Sequence, residues 1–403
     1  MYDVMQGVRV VEVAEHTFVP ASSMILADWG ADVVKIERAT GGGDAGRHIR
    51  AIQRPGLRAN PFFEAANRGK RSIALDLNQQ EGREQLYRLL DGADVFVTNL
   101  RDSARSKLGI DAATLMKHNP QLIYASGTGY GNHGPLAQAG GFDYPSSWCR
   151  SGSAFAQTPA DGGPPPAQPG SVGDLTGGAT LAGAIAAALF RRERTGRGAV
   201  IDHALYMMGT YIMSQSLINA SLGWKATGAP PPRERAADPL NNLYRTQDLR
   251  WILLCYLYDA WWPDLARTLG HEEWITDPRY ADAAARAANN TALVRDLDAV
   301  FAQRTLAEWE AELGKLEGVW APLKSPDEVI ADPQALENGF VTPVQFDDDG
   351  YYLTGASPAQ FDGQPVGALR AAPGYGRDTE EVLRELGVTP DQIAGMRERG
   401  VIV

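Results

Sequence analysis

The sequence predicts an α/β fold, a doubly wound parallel sheet followed by a smaller domain of mixed α and β structure. Three observations carry this. Short β-branched runs alternate with helix-patterned segments between residues 7 and 131, the rhythm of βαβ units. A Pro-rich, charged stretch, KATGAPPPRERAADP (residues 225–239), then breaks the pattern as a linker would. Finally, 403 residues exceed what one compact core holds, so two or three domains are expected.

GVRVVEV (residues 7–13) is the first strand, EHTFVPASSMILADWG (15–30) a loop and helix, and ADVVKIE (31–37) the second strand. The scheme continues with strand RSIALDL (71–77), helix QQEGREQLYRLLDG (79–92), strand ADVFVTN (93–99), helix DAATLMKHN (111–119) and strand LIYASGTGYG (122–131). A Gly/Pro-rich loop, DGGPPPAQPG (161–170), leads to Gly173 and Asp174. Two apolar helices follow, around ATLAGAIAAALFRRERTG (179–196) and ALYMMGTYIMSQSLINASLG (204–223). Beyond the linker, LYRTQDLRWILLCYLYDAWWPDLARTLG (243–270) reads as a hairpin feeding a helix, and GVWAPLKSPDEVIADPQALENG (318–339) as the exit from a small domain. The expected division is a large domain over 1–224, a small domain with its linkers over 225–330, and a return to the large domain over 331–403. No internal repeat and no low-complexity tract is visible.

Bulk chemistry excludes several classes. A net charge of −11 opposes general nucleic-acid binding, which needs clustered cations to displace counterions. Cys149 and Cys255 form neither a disulfide framework nor a metal motif, and buried structural roles are expected for both. None of the six histidines stands at metal-ligand spacing from another ligand, so no metal is expected. The longest apolar run, residues 179–190, falls short of the roughly 18 residues of a membrane span. No leader pattern opens the chain, so a cytoplasmic protein without a membrane partner is expected. Where a dinucleotide fingerprint should follow the first strand the chain has AEHTFVPASS, and TGGGDAG (40–46) lacks the Lys and Ser/Thr of a P-loop. A nicotinamide dehydrogenase is thereby opposed, and no G-x-S-x-G elbow supports a serine hydrolase.

GSVGDLTGGATLAG (170–183) boxes one carboxylate, Asp174, between glycines at the start of an apolar helix. Spacing alone leaves two readings open. Asp is a good helix N-cap. It is also a possible nucleophile, with glycines clearing room for a large substrate and offering N–H groups to a developing oxyanion. The basic residues add a second signal. In a parallel sheet the carboxyl ends of the strands share one edge, where ligands sit. Arg38, Asn99, Arg101, Arg105 and Lys107 can converge there on a phosphate-rich ligand, or remain scattered solvated charges. His133, in GYGNHGP, is the most suggestive histidine, with a solvated loop role as its plain alternative.

GVRVVEV with Pro20, ADWGADVVKIER, NRGKRSIALDL, ADVFVTNLRDSARSKLG, NPQLIYASGTGYGNHGP, GGFDY, GDLTGG, RTGRGAVIDHALY, YRTQDLRW and GVWAPL run in order from end to end. In this combination the chain resembles the class III CoA-transferases, the formyl-CoA transferase group whose sister branch is α-methylacyl-CoA racemase. The resemblance implies a Rossmann-like large domain that holds coenzyme A and a small α+β domain covering the acyl end. It also implies an interlocked homodimer, with which the long linkers near 225–240 and 318–340 are compatible.

It places the covalent nucleophile on Asp174, with Asp143, Gly177, Gly178, His16 and Thr17 in supporting places around the thioester end. It sets Arg38, Leu75, Asn99, Leu100, Lys107 and Leu108 along the CoA channel. The implied reaction moves CoA from an acyl-CoA donor to a carboxylic acid through aspartyl anhydride and aspartyl-CoA thioester intermediates. A helix N-terminus behind Asp174 is expected to favour its ionised form. The racemase branch, the first alternative, needs a His directly before the Asp of its GHD-type motif, and Phe142 stands there. A supporting Glu of that branch falls on Tyr258. A non-catalytic CoA-binding protein is the second alternative. Aromatics in WILLCYLYDAWW and FDYPSSW would favour a bulky acyl group if they face the pocket, or are core packing.

Overall fold

The computed structural model describes residues 2–49, 56–159, 162–225, 228 and 231–403. The chain divides into two compact units: Met1–Phe155, Pro166–Ala226 and Asp332–Val403 form one, Ala156–Pro165 and Thr227–Ala331 the other.

The larger unit is built on a six-stranded sheet, all parallel. Its strands are β1 (Arg9–Val13), β2 (Asp32–Arg38), β3 (Arg71–Leu75), β4 (Val95–Thr98), β5 (Ile123–Thr128) and β6 (Ala199–Ala204), in the spatial order β3-β2-β1-β4-β5-β6. That is the doubly wound Rossmann order. Because both faces are covered, the inner strands are largely apolar, interrupted in β1 and β2 by Glu12 and Lys35, and their alternate apolar residues enter two separate cores. Val11, Val13, Val34 and Ile36 pack on one face; Val10, Val33, Val95 and Val97 on the other. The crossovers include α1 (Phe18–Asp28), α2 (Pro61–Asn67), α3 (Gln80–Leu90), α4 (Asp102–Leu108), α5 (Ala112–His118) and α6 (Val172–Thr195). The first core is completed by Val382, Leu383, Ile393 and Met396 from the helices Thr379–Glu385 and Pro390–Glu398.

Helix α6 has 24 residues, longer than its apolar run suggests, and is long and apolar enough to cross a membrane. Here it packs along α1, with Leu181, Ala182 and Ile185 fully buried in the second core. Strand β6 and helix α4 are not signalled by the sequence pattern. In AVIDHA polar and apolar residues mix because β6 is an edge strand, and DSARSKL is too polar and short to show a helical stripe.

The smaller unit packs helices on the antiparallel sheet β7 (Asn241–Arg245), β8 (Trp251–Cys255) and β9 (Val319–Pro322). Its core takes Tyr256 and Trp262 from the aromatic stretch, with Trp261 packed against them, so packing accounts for three of the five rings, while Tyr258 is exposed. Cys149 is exposed and Cys255 half-buried, so neither is the fully buried residue expected; Cys149 ends a helical turn and Cys255 ends β8.

Candidate active site

In the order 3-2-1-4-5-6 the chain reverses direction of winding between β1 and β4, and the crevice at their carboxyl ends is where such sheets bind ligands. Here the loops leaving β1 and β4 are tied together by one side chain. Asn99 accepts the Glu15 N–H at 3.0 Å and donates to the Glu15 carbonyl at 2.6 Å. Next to it His16 takes a left-handed backbone, φ 67°, a conformation costly for any residue but Gly. Its N–H is held by Asp44 Oδ1 at 2.9 Å.

Asp44 in turn belongs to a buried ionic cluster that the sequence reading passed over. Lys35 Nζ lies 2.8 Å from Asp44 Oδ2 and 2.7 Å from Glu12 Oε1, and Lys70 Nζ lies 2.7 Å from Glu12 Oε2. All four side chains are buried. Burial pulls Lys70 down to about 8 despite Glu12; for Lys35 the burial penalty is outweighed by Asp44 and Glu12, and its pKa rises. Burial would raise Glu12 and Asp44, yet the lysines hold both below the ordinary carboxylate range. NRGKRS is committed in the same way. Arg68 pairs with Asp28, Lys70 with Glu12, and Arg71 with Asp32 and Glu385, leaving none of these cations for a ligand.

Asp174 is not a cap. Ser171 occupies the N-cap position of α6, and Asp174 sits in the first turn with no hydrogen-bond partner for its carboxylate among the described residues. The capping role falls to Asp143, thirty-one residues earlier. Its Oδ2 accepts the Gly173 N–H at 3.1 Å and a Gln168 amide hydrogen at 2.9 Å, and its Oδ1 accepts the Ser147 hydroxyl. Burial, and secondarily the Asp143 charge, push Asp174 up to about 7. Desolvation therefore outweighs the helix N-terminus, against the expectation of a stabilised anion.

The glycines also act differently from the expectation. A Cβ on Gly177 would lie 2.7 Å from the Phe18 ring, and one on Gly178 would lie 2.7 Å from Ala21 Cβ and 2.9 Å from the Phe18 carbonyl. They admit α1, not substrate. Their N–H groups lie beyond the first turn, within the helical ladder, and Gly173 gives its own to Asp143. A Cβ on Gly173 would strike Asp143 and Ser147. Thr17 is 1% exposed as the first residue before α1, its hydroxyl has no partner among the described residues, and it is not part of the cavity lining, whereas His16 is.

Two cavities open along this edge. The larger, about 960 Å³, is lined by Asp174, Asp143, His16, Phe142, Asn99 and Leu100, among others. The ring of Phe142 stands edge-on to His16, centroids 5.3 Å apart, so an apolar ring occupies the place next to Asp143. Of FDYPSSW, Phe142 and Tyr144 line the cavity and Trp148 is buried. The smaller, about 200 Å³, is lined by Arg38, Leu75, Lys107 and Leu108. Glu15 and Leu100 border both. Arg38 is exposed and pairs with Glu15 at 2.9 Å; Lys107 is exposed, with no ion-pair partner among the described residues. Leu75, 1% exposed, closes the inner wall. The basic residues thus separate, Arg101 and Arg105 facing the larger cavity and Arg38 and Lys107 the smaller. His133 is an exposed residue on the rim of the larger one.

The chain is similar throughout its length to characterised proteins. It is 30% identical over 405 residues to the (R)-2-hydroxy-4-methylpentanoate CoA-transferase of Clostridioides difficile, covering 99% of each chain. It is also 30% identical over 420 residues to a formyl-CoA:oxalate CoA-transferase of Escherichia coli, again 99% of each. Among solved structures, a CaiB/BaiF family protein of Brucella suis superposes with a TM-score of 0.78 at 29% identity, covering 95% of this chain and 99% of that one. A Mycobacterium tuberculosis protein gives 0.79 at 27%, covering 93% and 98%. The family model described as CoA-transferase family III matches residues 5–379, and with that match the parallel-sheet enzyme with its paired cavities belongs to CoA-transferase family III.

Proposed function

We propose that this chain transfers CoA from an acyl-CoA donor to a carboxylic acid, with Asp174 as the nucleophile. The observation that carries the reading is a half-buried carboxylate, free of hydrogen bonds among the described residues, lining a cavity large enough for the acyl end of a thioester. The ionised Asp174 attacks the thioester carbonyl; a C–O bond forms, the C–S bond breaks, and a mixed anhydride and CoA thiolate result. The thiolate then attacks the aspartyl carbonyl, releasing the first acid and leaving an aspartyl-CoA thioester. An incoming carboxylate opens that thioester, and the returning thiolate takes its acyl group and frees Asp174. One thioester replaces another, so no ATP is needed, and a hard exchange is divided into easier reversible steps.

Asp143 acts through Asp174. It holds the first turn of α6 and, by its charge, keeps the nucleophile's basicity high. Arg38 and Lys107 suit the phosphates of CoA, with Leu75 and Leu108 beside its nucleotide end; Leu100 stands between the two cavities. Asn99 spends its amide on Glu15 and so orders the loops around the ligand. Thr17, Gly177 and Gly178 contribute through packing of α1 against α6. We also infer a homodimer, supported by the apolar side chains exposed on and after the helices Leu205–Ile212 and Ser214–Ser221.

The test is trapping. Incubation with acyl-CoA and hydroxylamine should convert Asp174 to a hydroxamate, visible by peptide mass and absent in Asp174→Ala. CoA exchange without that adduct would remove Asp174 from the covalent role. Neither exchange nor adduct with any acid would leave a non-catalytic CoA-binding protein.

A further inference from the structure

Arg105 is out of keeping with its surroundings. Its residue exposure is 6%, yet it lines the 960 Å³ cavity that also holds Asp174. A guanidinium carries five N–H donors, and a buried one is normally matched by carboxylates or carbonyls. Among the described residues Arg105 has only long contacts, Nη1 to the Tyr124 hydroxyl at 3.5 Å and Nη2 to Asp102 Oδ1 at 3.4 Å, while Nε has no partner. The Tyr124 hydroxyl gives its own hydrogen to the Ile110 carbonyl at 3.0 Å, so its oxygen lone pairs face the guanidinium. Asp102 is mostly solvated and neutralises the charge weakly.

A second cation stands beside it. Arg101 lines the same cavity, has no ion-pair partner among the described residues, and lies so close to Gly140 that a Cβ there would be 2.6 Å from its Nη2. Asp202, another of the carboxylates lining the cavity, accepts from Ser126 at 2.8 Å and from Asn132 at 2.7 Å. Cations for the phosphates of CoA are found elsewhere, Arg38 and Lys107 at the smaller cavity. Lys107 and Arg105 sit on the same helix, α4, and serve different cavities.

We propose that Arg105, with Arg101 at its outer side, binds a second anionic group on the acceptor, so that the acids this enzyme loads with CoA are dicarboxylates. One carboxylate meets the site of Asp174 and becomes the thioester; the other satisfies the buried guanidinium in the planar, two-point geometry that Arg offers a carboxylate. An acid without the second group leaves Arg105 desolvated with only its long contacts to Asp102 and Tyr124, the situation in which a polar site discriminates most strongly. This inference rests on the transferase reading of the same cavity.

Succinate and butyrate have the same number of carbons and differ by the second carboxylate. With acetyl-CoA as donor, the wild-type enzyme should prefer succinate by at least about 10²-fold in kcat/KM. R105M should bring the ratio to within about threefold of one, and R105K, a point charge without the fork, should fall between. An equal or reversed preference in the wild type overturns the proposal even if R105M does not fold. A rise in the KM for acetyl-CoA with the ratio intact also overturns it, assigning the guanidinium to a phosphate of CoA. So does an equal loss with both acids, which marks a structural role. If no acid accepts CoA, the transferase reading itself has failed, and calorimetric titration of the wild type decides the anion site separately. Binding of succinate but not butyrate retains it, and binding of neither overturns it.

Discussion

At Asp174 two effects of opposite sign meet, and their balance predicts pH behaviour. The helix N-terminus favours the anion by a fraction of a kcal/mol to about 2 kcal/mol, while burial and the Asp143 charge disfavour it enough to place the pKa near 7. On the proposal that ionised Asp174 is the attacking group, kcat/KM for acyl-CoA should rise tenfold per pH unit below about 7 and level off above. Asp143→Asn removes the neighbouring charge and should move the inflection to lower pH; a pH–rate profile of the two proteins checks the direction. The same shift is a stability statement. Between the unfolded carboxyl's 3.8 and the folded value of about 7 the native state binds more protons than the unfolded one. The penalty is thus absent below the first value, grows through the window, and is complete above the second. Asp174→Asn should therefore melt higher than the wild type at pH 8, on the order of 1–3 kcal/mol, and lose that advantage at pH 4. Calorimetry at the two pH values measures both.

Helix α6 shows how one residue type carries different meanings along a single element. Gly→Ala in a helix interior normally stabilises by about 1 kcal/mol. At Gly183 a Cβ meets nothing within 4 Å, so Gly183→Ala should gain up to about that amount. At Gly178 the new carbon faces the Phe18 carbonyl at 2.9 Å and Ala21 Cβ at 2.7 Å, backbone and a short side chain that have no rotamer to yield. Gly178→Ala should lose about 1–3 kcal/mol by forcing α1 away from α6. Denaturant melts of the pair should move in opposite directions. The sequence shows glycines of equal standing in GDLTGGATLAG; only their position relative to α1 separates them.

For the molecule as a whole, the exposed apolar side chains near the end of the 205–224 segment matter most. Tyr211, Ile218, Leu222 and Trp224 face solvent in the single chain, Leu222 and Trp224 at 81% and 74% exposure. A patch of that kind marks an interaction surface. Sedimentation should show a dimer, and Leu222→Glu with Trp224→Glu should weaken it measurably; a monomeric wild type would refute the homodimer.

The fold was legible because its physics is local. Strands buried on both faces are rich in β-branched and other apolar residues, so GVRVVEV, ADVVKIE and ADVFVTN declare themselves despite the buried, ion-paired Glu12 and Lys35, and their alternation with helices predicts a parallel, doubly wound sheet. Edge strand β6 and the small sheet of Val341–Gln345, Tyr351–Gly355 and Leu369–Arg370 have a solvated side and gave no such signal. The chain alone also marked Asp174 and its motif. It could not say whether that carboxylate caps its helix, because the cap that forms, Asp143, arrives from thirty-one residues away. Likewise it could not show that His16 is held by Asp44, that Arg68 and Lys70 are consumed by ion pairs, or that Arg105 is buried with only long contacts to Tyr124 and Asp102. Composition and periodicity determined which segments pack; desolvation and partnership, which depend on groups distant in sequence, were decided only when the sheet brought its strand ends together.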